Sequence, residues 1–243
     1  MILAVLFDLD GTLYDRDQLV RNLAKEQFMI FRENLEDINE HRFVQRLVEL
    51  DAHGYGSKPA LYERLATEWG LSLDLADRLE RHFIQRYDRH CELSNDTSAT
   101  LQTLQRHGKK LGVITNGPTE RQEQKLESLG LASFFDVVLI SEAEGLRKPD
   151  QMIFARALER CGVEPAEAMF VGDHPEVDVA GARAAGLVPV WKRVPYWEMT
   201  LEDVLIVDTL SEILPACLGP QHLSSTLQPA GARIEPPRLK RGR

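Results

Sequence analysis

The sequence holds only three cysteines, Cys91, Cys161 and Cys217, widely spaced in 243 residues and without a CxxC pair. That excludes a disulfide framework and a thiolate zinc site, and it points to a reducing cytoplasm. Long apolar runs are missing as well: no stretch approaches the ~18 residues that a membrane-spanning helix needs. The opening MILAVLF lacks a basic leader and meets Asp8 after a few residues, too soon for a secretory signal, so residue 1 reads as the mature start. With 16 Gly and 12 Pro, collagen-like and globally disordered classes are also excluded.

What is present is 43% hydrophobic content, enough for one or two soluble domains with a sizeable core. The net charge of -9 is uneven, because residues 219–243 carry five Lys or Arg against one acid. The acidic remainder repels phosphate backbones, so nucleic-acid binding is not expected. Rich in Pro, Gly, Ser and Arg and without apolar periodicity, the end of the chain is expected to form a disordered basic tail over 216–243. Its final RLKRGR is either a solvated end or a contact for an anionic partner.

Short apolar runs at 2–7, 111–115, 137–140 and 169–171 alternate with amphipathic segments, the pattern of βαβ units around a parallel sheet. Weaker strand candidates follow at 187–191 and 205–207. Pro189 removes a ladder donor from the first of these and predicts a position toward an edge, or a bulge. Helical patterns at 18–31, 39–50, 59–69 and 73–87 contain no strand between them. The expected fold is therefore α/β, a Rossmann-like parallel sheet over 1–13 and 96–215 with an inserted helical domain over 14–95. Polar and Gly-rich residues 51–58 read as a loop between two of its helices rather than packing material.

The residues able to do chemistry collect where the apolar runs end, at the carboxyl edge of such a sheet. Asp8 and Asp10 follow the first run, Thr115 and Asn116 close the second, and Asp173 and Asp178 follow the run at 169–171. Singly, each has a plain alternative. Asp8 and Asp10 also suit a turn, Thr115 a helix cap and Lys148 a solvated surface, while His174 or Asp173 with Pro175 suits a helix start. Taken together, carboxylates from different strands suit a hard cation such as Mg²⁺. A hydroxyl and backbone N–H groups at a helix start suit phosphate oxygens.

Asp8-Leu9-Asp10-Gly11-Thr12, Ile114-Thr115-Asn116-Gly117, Arg147-Lys148-Pro149-Asp150 and Gly172-Asp173 with Asp178 occur in this order, each beside its strand or helix. This set resembles the haloacid dehalogenase superfamily over residues 7 to about 186, and the helical insert is similar to that family's cap. The resemblance implies phosphoryl transfer through an aspartyl-phosphate. Asp8 would be the nucleophile, and Asp10 would protonate the leaving alkoxide and then deprotonate water. Mg²⁺ would be held by Asp8, the backbone carbonyl of Asp10 and Asp173. Thr115 and Asn116 would grip the phosphoryl oxygens, with Lys148 stabilising their charge and Asp178 orienting Lys148 or a metal-bound water.

Dehalogenases of the superfamily lack the second Asp of the first motif, so Asp10 favours a phosphatase. A small phosphomonoester is the expected substrate, of the sugar phosphate, phosphoglycolate or nucleoside monophosphate type. A phosphomutase of the same fold and a non-catalytic binding or regulatory protein are the alternatives. By position, His53, Tyr55 or Lys58 of loop 51–58 would face the leaving group, unless the loop is a plain turn. Tyr14 is either another wall of the site or hinge packing. The segment WKRVPYW at 191–197 reads as exposed, either a subunit contact or packing beneath the sheet edge.

Overall fold

The computed structural model describes residues 1–219. Strand β1 (Ala4–Phe7) is buried along its whole length. Helices α1 (Arg16–Ile30), α2 (Glu40–Asp51), α3 (Lys58–Trp69) and α4 (Leu73–Arg86) follow with no strand between them. Helix α5 (Asn95–Arg106) returns the chain to β2 (Lys110–Thr115). Then come α6 (Thr119–Ser128), β3 (Val137–Ile140), α7 (Ser141–Glu144), α8 (Gln151–Cys161) and β4 (Ala168–Gly172). A helical turn over Pro175–Ala180, α9 (Gly181–Ala184), β5 (Val188–Lys192), β6 (Leu205–Val207) and α10 (Leu214–Leu218) complete the fold. Among the described residues no helix is long and apolar enough to cross a membrane.

All six strands are parallel, in the order β3-β2-β1-β4-β5-β6. The order reverses direction on either side of β1, which puts a crevice at its carboxyl end. Because side chains alternate along a strand, Ala4 and Leu6 join one apolar cluster with Ile114, Phe154 and Phe170. Val5 and Phe7 join the other cluster, which continues through Leu101 and Leu104 into the helical insert. Helix α8 shows how the sequence sets its limits. Asp150 caps its start by accepting from the Met152 N–H at 2.9 Å, and Gly162 ends it at φ +68. Pro189 lies in β5, one strand in from the edge formed by β6.

Two expectations on boundaries need correction. Residues 216–218 belong to α10 rather than to a disordered tail: Leu210, Ile213 and Cys217 share a helical face, and Cys217 Sγ lies 3.7 Å from Met169 Sδ in the core. The remainder of that tail lies outside the described residues. Segment 51–58 is also more than a connector, since Asp51 ends α2 with 1% exposure and Lys58 begins α3.

The helical insert is specified by apolar packing around one buried amide. Leu23, Phe43, Leu47, Leu65 and Leu79 are completely or almost completely buried. Among them Gln27, also fully buried, donates to the Leu79 carbonyl at 2.6 Å and accepts from the Tyr62 hydroxyl at 2.9 Å. Replacing Gln27 with Ala strips a buried hydroxyl of its acceptor and opens a void, so the variant is expected to lose about 2 kcal/mol or more of stability. Equilibrium urea unfolding checks this, and a loss below about 0.5 kcal/mol would contradict it.

Candidate active site

Each strand end supplies one part of the site. Asp8 follows β1 and its N–H donates to the Val171 carbonyl at 2.9 Å, which ties the loop to β4. From the far side, Lys148 places Nζ 2.6 Å from Asp8 Oδ1 and 2.7 Å from Asp178 Oδ1. Lys148 is 2% exposed, so the three charges meet away from bulk water. Burial opposes the ammonium, but Asp178 and Asp8 outweigh it and raise its pKa above the ordinary lysine range. The expected link between Asp178 and Lys148 is thus present. It depends on Gly172, where a Cβ would stand 2.4 Å from the Asp178 Cβ.

Asn116 and Thr115 stand at the same cavity, with partners of their own. Asn116 Nδ2 donates to the Lys148 carbonyl and its Oδ1 accepts from the Lys148 N–H, both at 3.0 Å, so this side chain positions the lysine backbone. The Thr115 hydroxyl accepts from Gln122 Nε2.

Asp10 turns away from Asp8 toward a cluster that the sequence reading did not single out. Lys125 Nζ lies 2.7 and 2.8 Å from its two oxygens, Gln122 Nε2 donates at 3.0 Å, Tyr14 donates its hydroxyl and Arg16 Nε lies 3.8 Å away. Burial alone would raise the Asp10 pKa, but Lys125, Arg16 and Gln122 hold it well below the usual carboxylate range. For Asp8, burial is the dominant cause and Lys148 offsets it only in part. With Asp178 and Asp10 adding repulsion, its pKa is pushed up to about 7. The two carboxylates are therefore split, in the sense opposite to the expected ionised Asp8 and protonated Asp10, because Lys125 and Arg16 sit on Asp10. Helical spacing could have found Lys125: on α6, Gln122 and Lys125 share a face.

Asp8, Asp173 and Asp178 bring carboxylate oxygens within 4.8 Å of one another, all buried. Burial, with Asp8 and Asp178 adding to it, pushes the Asp173 pKa well above its usual value. Three crowded carboxylates facing one ammonium form an oxygen donor set that a hard divalent cation would relieve, so the residues fit Mg²⁺. Asp178 joins this set, beyond the role expected for it, while the Asp10 side chain is committed to Lys125.

Segment 191–197, read as exposed with two placements open, follows the packing one: Trp191 and Val194 are buried. Trp191 is 1% exposed and donates its indole N–H to the Asp173 carbonyl at 2.8 Å. Tyr196 donates to Asp173 Oδ2 at 2.7 Å. Gly11, at φ +85, lets this pair approach, since a Cβ there would lie 2.8 Å from Asp173 Oδ2. His174 is a cap, as its plain reading held: its Nδ1 accepts from the N–H groups of Glu176 and Val177 at 3.1 and 3.2 Å.

His53, Tyr55 and Lys58 line one cavity of about 530 Å³ with Asp8 and Asp173. His53 stacks on Tyr196 at 3.6 Å between ring centres, and its Nδ1 lies 2.9 Å from Asp17 Oδ2. Tyr55 meets His174 edge-on at 5.5 Å. Lys58 and Arg16 both bind Asp51, Lys58 Nζ at 2.5 Å from Oδ1. Tyr14, 4% exposed, donates to Asp10 and lies with its hydroxyl 3.4 Å from that of Tyr87.

The haloacid dehalogenase-like hydrolase family model matches residues 2–186. The chain is 36% identical over 197 residues to the glyceraldehyde 3-phosphate phosphatase of Methanopyrus kandleri, covering 78% of this chain and 83% of that one. It is 35% identical over 205 residues to the ribulose-1,5-bisphosphate 5-phosphatase of Halopiger xanaduensis, covering 78% and 84%. Among solved structures, the HAD phosphatase from Thermococcus onnurineus superposes with a TM-score of 0.60 at 30% identity, over 90% of this chain and 98% of that one. The chain therefore belongs to the haloacid dehalogenase-like hydrolases and is phosphatase-like within them.

Proposed function

We propose that this protein is a phosphatase that hydrolyses a small phosphomonoester through an aspartyl-phosphate on Asp8. The observation that carries the reading is the placement of Asp8 in the wall of one cavity, 2.6 Å from Lys148, with Asp10 held by Lys125 in the same cavity. In this reading a carboxylate oxygen of Asp8 attacks phosphorus and the bond to the leaving alkoxide breaks. The proton that burial keeps on Asp8 in the free cavity passes to Asp10 as the phosphoryl group enters; Asp10 gives it to that alkoxide, then takes one from the water that cleaves the acyl phosphate and frees inorganic phosphate. Tyr14, Gln122 and Lys125 keep Asp10 in place through both steps. Lys148 stabilises negative charge on the phosphoryl oxygens, Thr115 lines their pocket, and Asn116 acts by fixing Lys148.

Asp8, Asp173 and Asp178 would hold Mg²⁺, with the Asp10 carbonyl as the further ligand that the family pattern assigns. When bound, the ion supplies charge neutralisation at the phosphoryl group. Residues 14–95 act as the cap that selects the leaving group over the core of 1–13 and 96–215.

Phosphate release from a panel of sugar phosphates, nucleotides and small phosphoesters, with and without Mg²⁺, tests the reading. Metal-dependent release is expected, and Asp8→Asn is expected to abolish it while remaining folded. Near-parental activity in Asp8→Asn would rule out the covalent route, and isomerised sugar phosphate with little free phosphate would indicate a mutase.

The raised Asp8 pKa gives a stability test. In the unfolded chain Asp8 loses its proton near its ordinary value of 3.8, whereas the folded protein keeps it until about 7. Between these values the folded state binds more protons, so stability falls as pH rises through that window. In chelator-treated buffer near pH 8, Asp8→Asn is expected to melt several degrees above the parent, and the gap should close toward about pH 4. A gap independent of pH would contradict the buried titration.

Tyr196→Phe removes one hydrogen bond from Asp173 and leaves the ring stack intact. It is expected to weaken Mg²⁺ binding about tenfold by calorimetry, with little change in melting temperature. Unchanged affinity would remove Tyr196 from the positioning of Asp173.

A further inference from the structure

The cavity over Asp8 carries more positive charge than phosphoryl transfer uses. Lys148 is committed to Asp8 and Asp178, and Lys125 to Asp10. Arg16 from α1, Lys58 from α3 and Lys125 from α6 share two carboxylates, Asp51 and Asp10, which leaves that buried group with one net positive charge. Across the cavity, Arg121 projects from the first turn of α6 and makes no hydrogen bond or ion pair with any described residue. Glu142 also lines the cavity, but its carboxylate accepts from the Thr119 N–H at 2.7 Å. Arg121 stands close enough to Lys58 for the two cations to repel each other: burial, then Arg16 and Arg121, hold the Lys58 pKa below its ordinary value against the pull of Asp51.

Cations that converge on one cavity from separate elements repel each other until an anion arrives. On the phosphatase reading above, we infer that Lys58 and Arg121 form a subsite for a second anionic group on the substrate, so that the preferred substrate is a phosphomonoester also bearing a carboxylate or a second phosphate. Lys58 offers a point charge from the cap and Arg121 a planar fork from the core, and both groups match either anion. Because one residue comes from each side of the cavity, such a substrate would also bridge the closed arrangement.

The test compares kcat/KM of the full-length protein with Mg²⁺ on glycerol 3-phosphate, 3-phosphoglycerate and a sugar bisphosphate. Calorimetric binding of the same three compounds to Asp8→Asn runs in parallel. The parent is expected to favour one or both doubly anionic esters over glycerol 3-phosphate by about tenfold or more, and Arg121→Gln to lower that ratio by a similar factor. Preference for 3-phosphoglycerate alone identifies the carboxylate, and preference for the bisphosphate alone the second phosphate. Lys58→Gln should act in the same direction; since it also disturbs Asp51, Arg121→Gln decides the matter.

Equal rates on all three esters, or a ratio unchanged in Arg121→Gln, would overturn the subsite while leaving the phosphatase reading intact. An equal fall in Arg147→Gln, a cavity-edge arginine outside the proposed pair, would replace it with general electrostatic attraction. If no ester is hydrolysed the phosphatase reading fails. Calorimetry then decides the subsite separately: tighter binding of the doubly anionic compounds supports it, and equal binding overturns it.

Discussion

The buried ammonium of Lys148 between Asp8 and Asp178 is the constraint on which the remainder of the site depends. Two strands, β1 and β4, deliver carboxylates to one sheet edge, and such a group is costly to bury without a cation. Lys148 provides that cation from a loop on the opposite side, and Asn116 fixes its backbone with a pair of 3.0 Å hydrogen bonds. A second lysine, Lys125, does the same for Asp10. The edge is therefore held as two charge groups, and this separation drives the Asp8 and Asp10 pKa values apart.

The helical insert is coupled to this edge by charge and by aromatic packing. Arg16 reaches both Asp10 and Asp51, so a residue at the start of α1 touches the loop after β1 and the end of α2 at once. His53 reaches back onto Tyr196, itself bonded to Asp173. Ala52, His53 and Gly54 all take positive φ, and a Cβ on Gly54 would meet the Arg16 guanidinium at 2.8 Å. The loop is thus bent tightly around the cation beneath it, a geometry that non-glycine residues adopt only when surrounding contacts enforce it.

Much of the architecture was legible because it rests on local signals. The buried strands were read to within two residues, since parallel strands covered on both faces are written as continuous apolar runs. The cap helices were read similarly from their periodicity. The boundary at 216 was missed because α10 is short and its Cys217 packs on Met169 of β4, far away along the chain. Segment 191–197 left two placements open, a subunit contact or packing beneath the sheet edge, because its aromatic and basic residues carry no local sign of direction. Only the placement of β5 beside β4 turns Trp191 inward and brings Tyr196 to Asp173.

The sequence by itself determined the order of strand-end motifs and hence which acids, hydroxyl and lysine share one edge, because strand direction and the parallel topology carry them there. It also determined that a helical insert interrupts the sheet. Tertiary structure alone decided the pairings: Lys125 with Asp10, Asp51 between Arg16 and Lys58, Asp178 among the acids, and Arg121 opposite the cap lysine. Contacts between residues tens of positions apart depend on packing angles and on which charges find a partner in low dielectric. Neither property is encoded in local spacing.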